Sequence, residues 1–320
     1  MVRRPPSVIA QLRRWRAGQA PACPDDAVTA AAAHKLAPLF WQRDKTTALR
    51  RYVMASTARW AEIEVPLRDT LTALATQVEL MPLRALDYAF SLYDARELRP
   101  FNDFDLLVRS DDFDRAAACL ITLGFRTIHD ARGVAGHQEH YAWQFVRNSL
   151  SIDLHRGIRQ LVRAAIDYDA IWSHAAPSQR LGVAMKQPDP VDRTLLHVAH
   201  QAGHEFVGPL IAFADLELLL AQPRLDRREL HDRAAHYGLS RALHTALQLR
   251  SRLWGEPHAA APWPGAWPSL ARQASASYRV FRPLQLARKL SLLDDWSYRL
   301  AFARYAASTL QPRRQGQQQK

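Results

Sequence analysis

Apolar and polar positions along the chain fall into three regimes. Over residues 27–76, apolar residues recur at helical spacing between charged ones, which predicts an N-terminal helical segment. Pro38 and Pro66 are expected to break or kink it, because proline lacks an amide hydrogen and its ring crowds the preceding turn. At Gln77 the pattern shortens. QVELMPLRAL predicts a strand, and DYAFSLYDA a helix with Asp87 as its N-cap. DFDLLVR is a compact apolar strand, and SDDFDRAAACLITLGF is a helix opened by Ser110 and closed at Gly124. FRTIHD predicts a further strand. HYAWQFVRN and SLSIDLHRG alternate on either side of Asn148-Ser149, a hairpin pattern.

After Gly157 the helical period returns. DPVDRTLLHVAHQAG, GPLIAFADLELLLAQ, DRRELHDRAAHYG and LSRALHTALQLRSRLWG predict four amphipathic helices, with Gly203, Gly238 and Gly255 near their ends. The expected fold is α+β: a small mixed β-sheet core over 77–160, flanked by helical segments at 27–76 and 161–256. Residues 1–26 are basic and proline-punctuated, a loose arm with one short amphipathic helix. Residues 257–320 predict a Pro- and Trp-rich linker, basic helices and a polar tail.

Composition narrows this picture. A length of 320 residues fits about two domains, and 48% hydrophobic with 23% charged residues is an ordinary globular mixture. Cys23 and Cys119 form no metal-ligand spacing, which fits a reducing cytoplasm. The most apolar run, Leu210 to Ala221, is interrupted by Asp215 and Glu217, so no membrane span is expected; no apolar stretch follows the basic N-terminus as a secretory signal requires. The net charge of +12 favours polyanionic partners such as nucleotide, nucleic acid or acidic lipid. Scattered arginines read equally well as a compositional bias.

The candidate chemistry sits in NDFDLLVR. Alternation along a strand puts Asp103 and Asp105 on one side and Phe104 on the other. Two carboxylates so close either share a proton or bind a cation. In SIDLH, Asp153 opposes Ile152 and Leu154, so a neighbouring strand would add a third acid. Three carboxylates can hold two Mg²⁺ or Mn²⁺ ions about 4 Å apart, the arrangement that clamps attacking and leaving oxygens in phosphoryl transfer. A bare DxD pair is weak evidence, but this one enters an apolar strand, where an uncompensated pair is costly.

With these residues in place, MPLRALDYAFSLYDARELRPFNDFDLLVRSDDFDRAAACLITLGF and HYAWQFVRNSLSIDLH resemble the bacterial uncharacterised nucleotidyltransferase family of the DNA polymerase β-like superfamily. LLHVAHQAG and AFADLELLL resemble that family's helical half, and the resemblance covers roughly residues 28 to 255. It implies Asp103, Asp105 and Asp153 as catalytic metal ligands, Arg99 as a phosphate contact, an NTP (ATP foremost) as donor, and a bacterial biosynthetic setting. Where the family has Lys-Gly, this chain has Arg84-Ala85. A small glycine turn there lets backbone amides approach a triphosphate; Arg84 keeps the charge, while Ala85 adds a Cβ and raises a pseudoenzyme as an alternative.

Other candidates carry less. His197, His200 and His204 share one helical face, but no Cys or carboxylate completes a zinc pattern, and a packed helix explains them. His137 to Glu139 lacks the PCxxC of a zinc deaminase. His155 is a candidate orienting group or proton acceptor. P-loop, GxGxxG and GxSxG patterns are absent. The expected activity is metal-dependent transfer of a nucleoside monophosphate from an NTP to a small-molecule, peptide or protein acceptor. The alternatives are a drifted pseudoenzyme that binds nucleotide or protein, and a basic nucleic-acid-binding protein.

Overall fold

The computed structural model describes residues 7–21, 23, 25–128, 142–158 and 166–257, together with 290, 292 and 294. The chain opens with helices α1 (Ser7–Arg16), α2 (Asp25–Ala33), α3 (Ala37–Trp41) and the long α4 (Thr47–Ala75). Pro38 lies in the first turn of α3, where proline costs no helical hydrogen bond, so it starts a helix. Pro66 sits inside α4 without ending it. The lost hydrogen bond is outweighed by a buried stripe at alternating three- and four-residue spacing, including Val53, Trp60, Ile63, Leu67 and Leu74. The amphipathic helix expected in the basic arm is α1, and Val8, Ile9, Leu12 and Trp15 are buried in the core.

Next come β1 (Met81–Leu83), α5 (Arg84–Ala89), β2 (Phe104–Leu107), α6 (Phe113–Thr122), β3 (Arg126–Ile128), β4 (Ala142–Arg147) and β5 (Leu150–His155). Their sheet order is β1-β2-β5-β4-β3. β2 and β5 run parallel, and the other neighbours are antiparallel, so the sheet is mixed as expected. Arg147 pairs with Leu150 across the expected two-residue turn, with Asn148 at φ 51°. Two expectations shift. Asp87 lies inside α5 rather than capping it, because the helix starts at Arg84. Ser110 opens a 3-10 turn ahead of α6 and gives no side-chain cap to that helix.

Beyond the sheet come α7 (Tyr168–His174), β6 (Ala176–Arg180), β7 (Val183–Gln187), α8 (Pro190–Gly203), α9 (Ile211–Leu220), α10 (Arg227–His236) and α11 (Ser240–Trp254). The β6–β7 hairpin departs from the helical expectation for this stretch. Its strands are short and half-exposed, and its turn at Leu181-Gly182 has both φ angles positive. The amide of Lys186 donates to Leu80 O at 2.8 Å, which fastens the hairpin beside β1.

Two apolar clusters result. One lies between α4, α6 and the sheet face bearing Phe104, Leu106, Ile152 and Leu154. The other joins α1–α3 to α8–α11 and takes Met81, Leu83 and Leu107 from the sheet. Alternation therefore turns Asp105, Asp153 and His155 away from the first cluster and toward the helical half.

Candidate active site

The site begins with strand register. Across the parallel pair, Asp105 lies opposite Asp153 and Leu107 opposite His155. The start of β2 is braced by aromatic packing of Trp60 on Phe101 and of Phe101 on Phe104, with ring centroids 4.7 and 4.5 Å apart. Ligand-capable atoms of Asp105, Asp153 and His155 all lie within 4.8 Å of one another. Asp103 is half-buried just ahead of β2. It is not part of this tightest group, although its charge acts on Asp153 and Arg84.

Each member has a distinct environment. Asp105 is 2% exposed and carries an ion pair with Arg84. Its Oδ1 also lies 2.9 Å from His155 Nε2. Asp153 Oδ1 is buried without a hydrogen-bond partner among the described residues. Burial, and then the negative charge of Asp103, raise the Asp153 carboxyl above the usual range. Burial and the Arg84 guanidinium push His155 down to about 4. The neutral ring has one N–H to give. As the Nε2–H tautomer it donates to Asp105 Oδ1 at 2.9 Å; as the Nδ1–H tautomer it donates to Gly157 O at 3.3 Å, which frees the Nε2 lone pair to ligate a cation.

Arg84 is the counter-charge of this group, and it adopts φ 46°, a left-handed conformation uncommon for a residue with a Cβ. The unusual backbone therefore falls on Arg84 and not on Ala85, which is buried in α5 against the first apolar cluster. On its other side, Arg84 Nη1 meets the His200 ring, 3.1 Å from Nδ1. Arg99 forms a planar fork, but its carboxylate is Asp215 of α9: Nε lies 2.8 Å from Oδ1 and Nη2 2.7 Å from Oδ2. Tyr93 OH donates to the same Asp215 at 2.6 Å. Arg99 thus ties the approach to β2 onto the helical half.

His197 and His200 of α8 and His204 just after it do not form a metal group among the described residues. His197 donates from Nε2 to Ala212 O at 3.0 Å and receives Tyr88 OH at Nδ1 at 3.3 Å. His200 and His204 stack 4.6 Å apart between centroids. His137 to Glu139 lie outside the described residues. The geometry adds residues that the sequence did not single out. Lys35, in the turn after α2, reaches the residue before Asp103: with the Asn102 amide oriented to satisfy both of its ends, Lys35 Nζ donates to the Asn102 side-chain oxygen at 3.3 Å. His174, Asp189 and Asp192 also converge, with Arg233 donating to both carboxylates at 2.6 and 2.8 Å.

A mixed sheet presenting acids from two parallel neighbours, between a packed apolar face and a helical half, suits nucleotidyl transfer chemistry. The chain belongs to the uncharacterised nucleotidyltransferase family, whose pattern it matches over residues 21–255. No curated protein matches the sequence. Among solved structures, the solution structure of the antibiotic-resistance factor ANT(2'')-Ia is similar at 13% identity with a TM-score of 0.41, covering 60% of this chain and 98% of that one. Among the described residues, no helix is long and apolar enough to cross a membrane.

Proposed function

We propose that this chain transfers a nucleoside monophosphate from an NTP, ATP foremost, to an acceptor hydroxyl at Asp103, Asp105 and Asp153. The observation that carries this reading is the buried, partnerless Oδ1 of Asp153, a residue whose carboxylate converges with Asp105 and His155. Leaving such an oxygen unmatched is costly unless a ligand or cation meets it. The donor set is rich in hard carboxylate oxygens, which fits Mg²⁺ or Mn²⁺. Asp103, Asp105 and Asp153 would hold the ion, with His155 beside them. Bound there, it supplies charge neutralisation and Lewis-acid polarisation of phosphoryl oxygens.

The chain's own residues then have separable roles. Asp153 is placed to take the proton as the acceptor oxygen bonds to the α-phosphorus and pyrophosphate leaves. Arg84 is placed to exchange Asp105 for phosphate oxygens. Arg99 holds the site's approach to α9 through Asp215. Isothermal titration with ATP, GTP, CTP and UTP, with and without Mg²⁺, tests the reading. Metal-dependent binding of one triphosphate is expected in the wild type and not in the Asp103→Asn/Asp105→Asn variant. Equal binding by both proteins would refute it.

One observation favours a second reading, a drifted member that binds nucleotide without turnover: the Arg84 guanidinium already neutralises Asp105. Metal-dependent binding with no pyrophosphate release across a broad acceptor panel would select it.

A further inference from the structure

The turn after α2 has a backbone that its side chain does not suit. Leu36 N donates to Ala31 O at 2.7 Å and Lys35 N to Ala32 O at 2.9 Å, the paired bonds of a Schellman helix end. Lys35 occupies the left-handed position with φ 59°. The same pair of bonds ends α1, α6, α10 and α11, and there the position is Gly18, Gly124, Gly238 and Gly255. Lys35 and the buried Glu205 after α8 depart from glycine. A side chain in this conformation is unfavourable for folding relative to glycine.

The turn is also held in place. The amides of Leu210 and Ile211, at the start of α9, lie 3.3 Å from His34 Nδ1 and His34 O. α9 in turn carries Asp215, the partner of Arg99. Lys35 is thereby fixed to the element that braces the approach to β2. Its ammonium is half-buried, and its partner is the neutral amide of Asn102, next to Asp103. Arg84 and Arg99 are both ion-paired, whereas no ion pair joins Lys35 to a carboxylate among the described residues. Burial, then the positive charge of Arg99, lower its pKa, and the charges of Asp103 and Asp215 offset this only in part.

We infer that Lys35 is a binding residue of the nucleotidyl site that grips the β- and γ-phosphates of the incoming triphosphate. This rests on the proposed function and adds a contribution from outside the sheet: the turn after α2 closes the phosphate end of the site. An ammonium has three N–H donors, and Asn102 takes one, so two can serve phosphate oxygens. The flexible stem lets the charge follow the leaving pyrophosphate.

The test uses the full chain as wild type, Lys35→Gly and Lys35→Arg. Thermal melting is paired with titration of the triphosphate the wild type binds with Mg²⁺, and of its monophosphate. Glycine suits the left-handed backbone, so Lys35→Gly is expected to melt no lower than wild type. It is expected to bind the triphosphate about tenfold or more weakly, as loss of a charge-assisted contact implies. Monophosphate affinity should stay within about twofold, and Lys35→Arg should regain most of the triphosphate affinity. Unchanged triphosphate affinity in Lys35→Gly would overturn the inference while leaving the proposed function standing. So would equal losses for both ligands in a variant that melts lower, the outcome of a structural role. No triphosphate binding by the wild type would overturn both readings together.

Discussion

At the scale of the residue, Arg84 decides how the acids coexist without a cation. Asp105 is 2% exposed and faces Asp153 across the register, so two carboxylates are desolvated side by side. The Arg84 guanidinium meets Asp105, and burial pulls its own pKa down, so it too is held at some cost. Removing one partner of a buried pair leaves the other uncompensated. Arg84→Gln should therefore lose about 3 kcal/mol of stability in the absence of metal. The same change vacates Asp105 for a cation, and ligand binding to the folded state raises its stability by mass action. Mn²⁺ should therefore raise the melting temperature of Arg84→Gln more than that of wild type. A smaller Mn²⁺-induced shift in the variant would show that Arg84 and the cation do not compete. Strand alternation and apolar framing explain why Asp105 and Asp153 share a sheet face, whereas Asp103 lies ahead of the strand, where alternation does not reach. Lys35 was not legible in the sequence, because it approaches from a turn far upstream and nothing local marks it.

At the scale of the element, Asp87 joins three pieces of secondary structure. It is 1% exposed in α5, receives Arg180 Nη2 of β6 at 2.7 Å, and pairs with Arg193 of α8. Gln187 of β7 takes a further bond from Arg180 at 3.0 Å, and Gln222 one from Arg193 at 3.0 Å. The network holds the β6–β7 hairpin and α8 against the helix that begins at Arg84. Asp87→Ala would strand two buried guanidiniums, and a loss of about 3–5 kcal/mol in urea unfolding is expected. Asp232→Ala is the control, because its partner Arg228 is 92% exposed; its urea midpoint should be indistinguishable from wild type. Equal midpoints for the two variants would mean the Asp87 network is not what holds these elements. Elements were legible where they bury a periodic face. The β4–β5 turn showed itself in Asn148, whereas β6 and β7 are short and half-exposed, so their apolar pattern is too thin to mark strands. Asp87 misled because acids open helices often, while its actual role depends on arginines that only the tertiary fold brings in.

At the scale of the whole molecule, the two apolar clusters and the acids between them leave several histidines buried and neutral. Burial pushes His155 and His197 down to about 4, and His200 well below its usual value, with the Arg84 charge adding to the effect at His155 and His200. In the unfolded chain each titrates near 6.5. Between those values the unfolded state binds more protons than the folded one, so stability rises with pH across the window. The histidine contribution is complete above about pH 6.5 and is lost as pH falls toward about 4. Asp153 works in the opposite sense, since a raised carboxyl pKa lets the folded state take up a proton first, but it is one group against three. From about pH 7 to about pH 5, His155 and His197 can each remove up to roughly 2 kcal/mol, and His200 acts in the same direction. Urea midpoints should fall steeply over this range, well before most carboxylates protonate. His197→Gln is the informative variant, because His197 packs on Tyr88 and Ala212 and is not one of the residues grouped with the acids. Its stability should depend less on pH over the same interval than that of wild type, even if it is less stable at pH 7. An identical pH slope in the two proteins would place the acid sensitivity elsewhere, and a flat slope in the wild type would show that the interior at this junction admits protons as freely as the unfolded chain does.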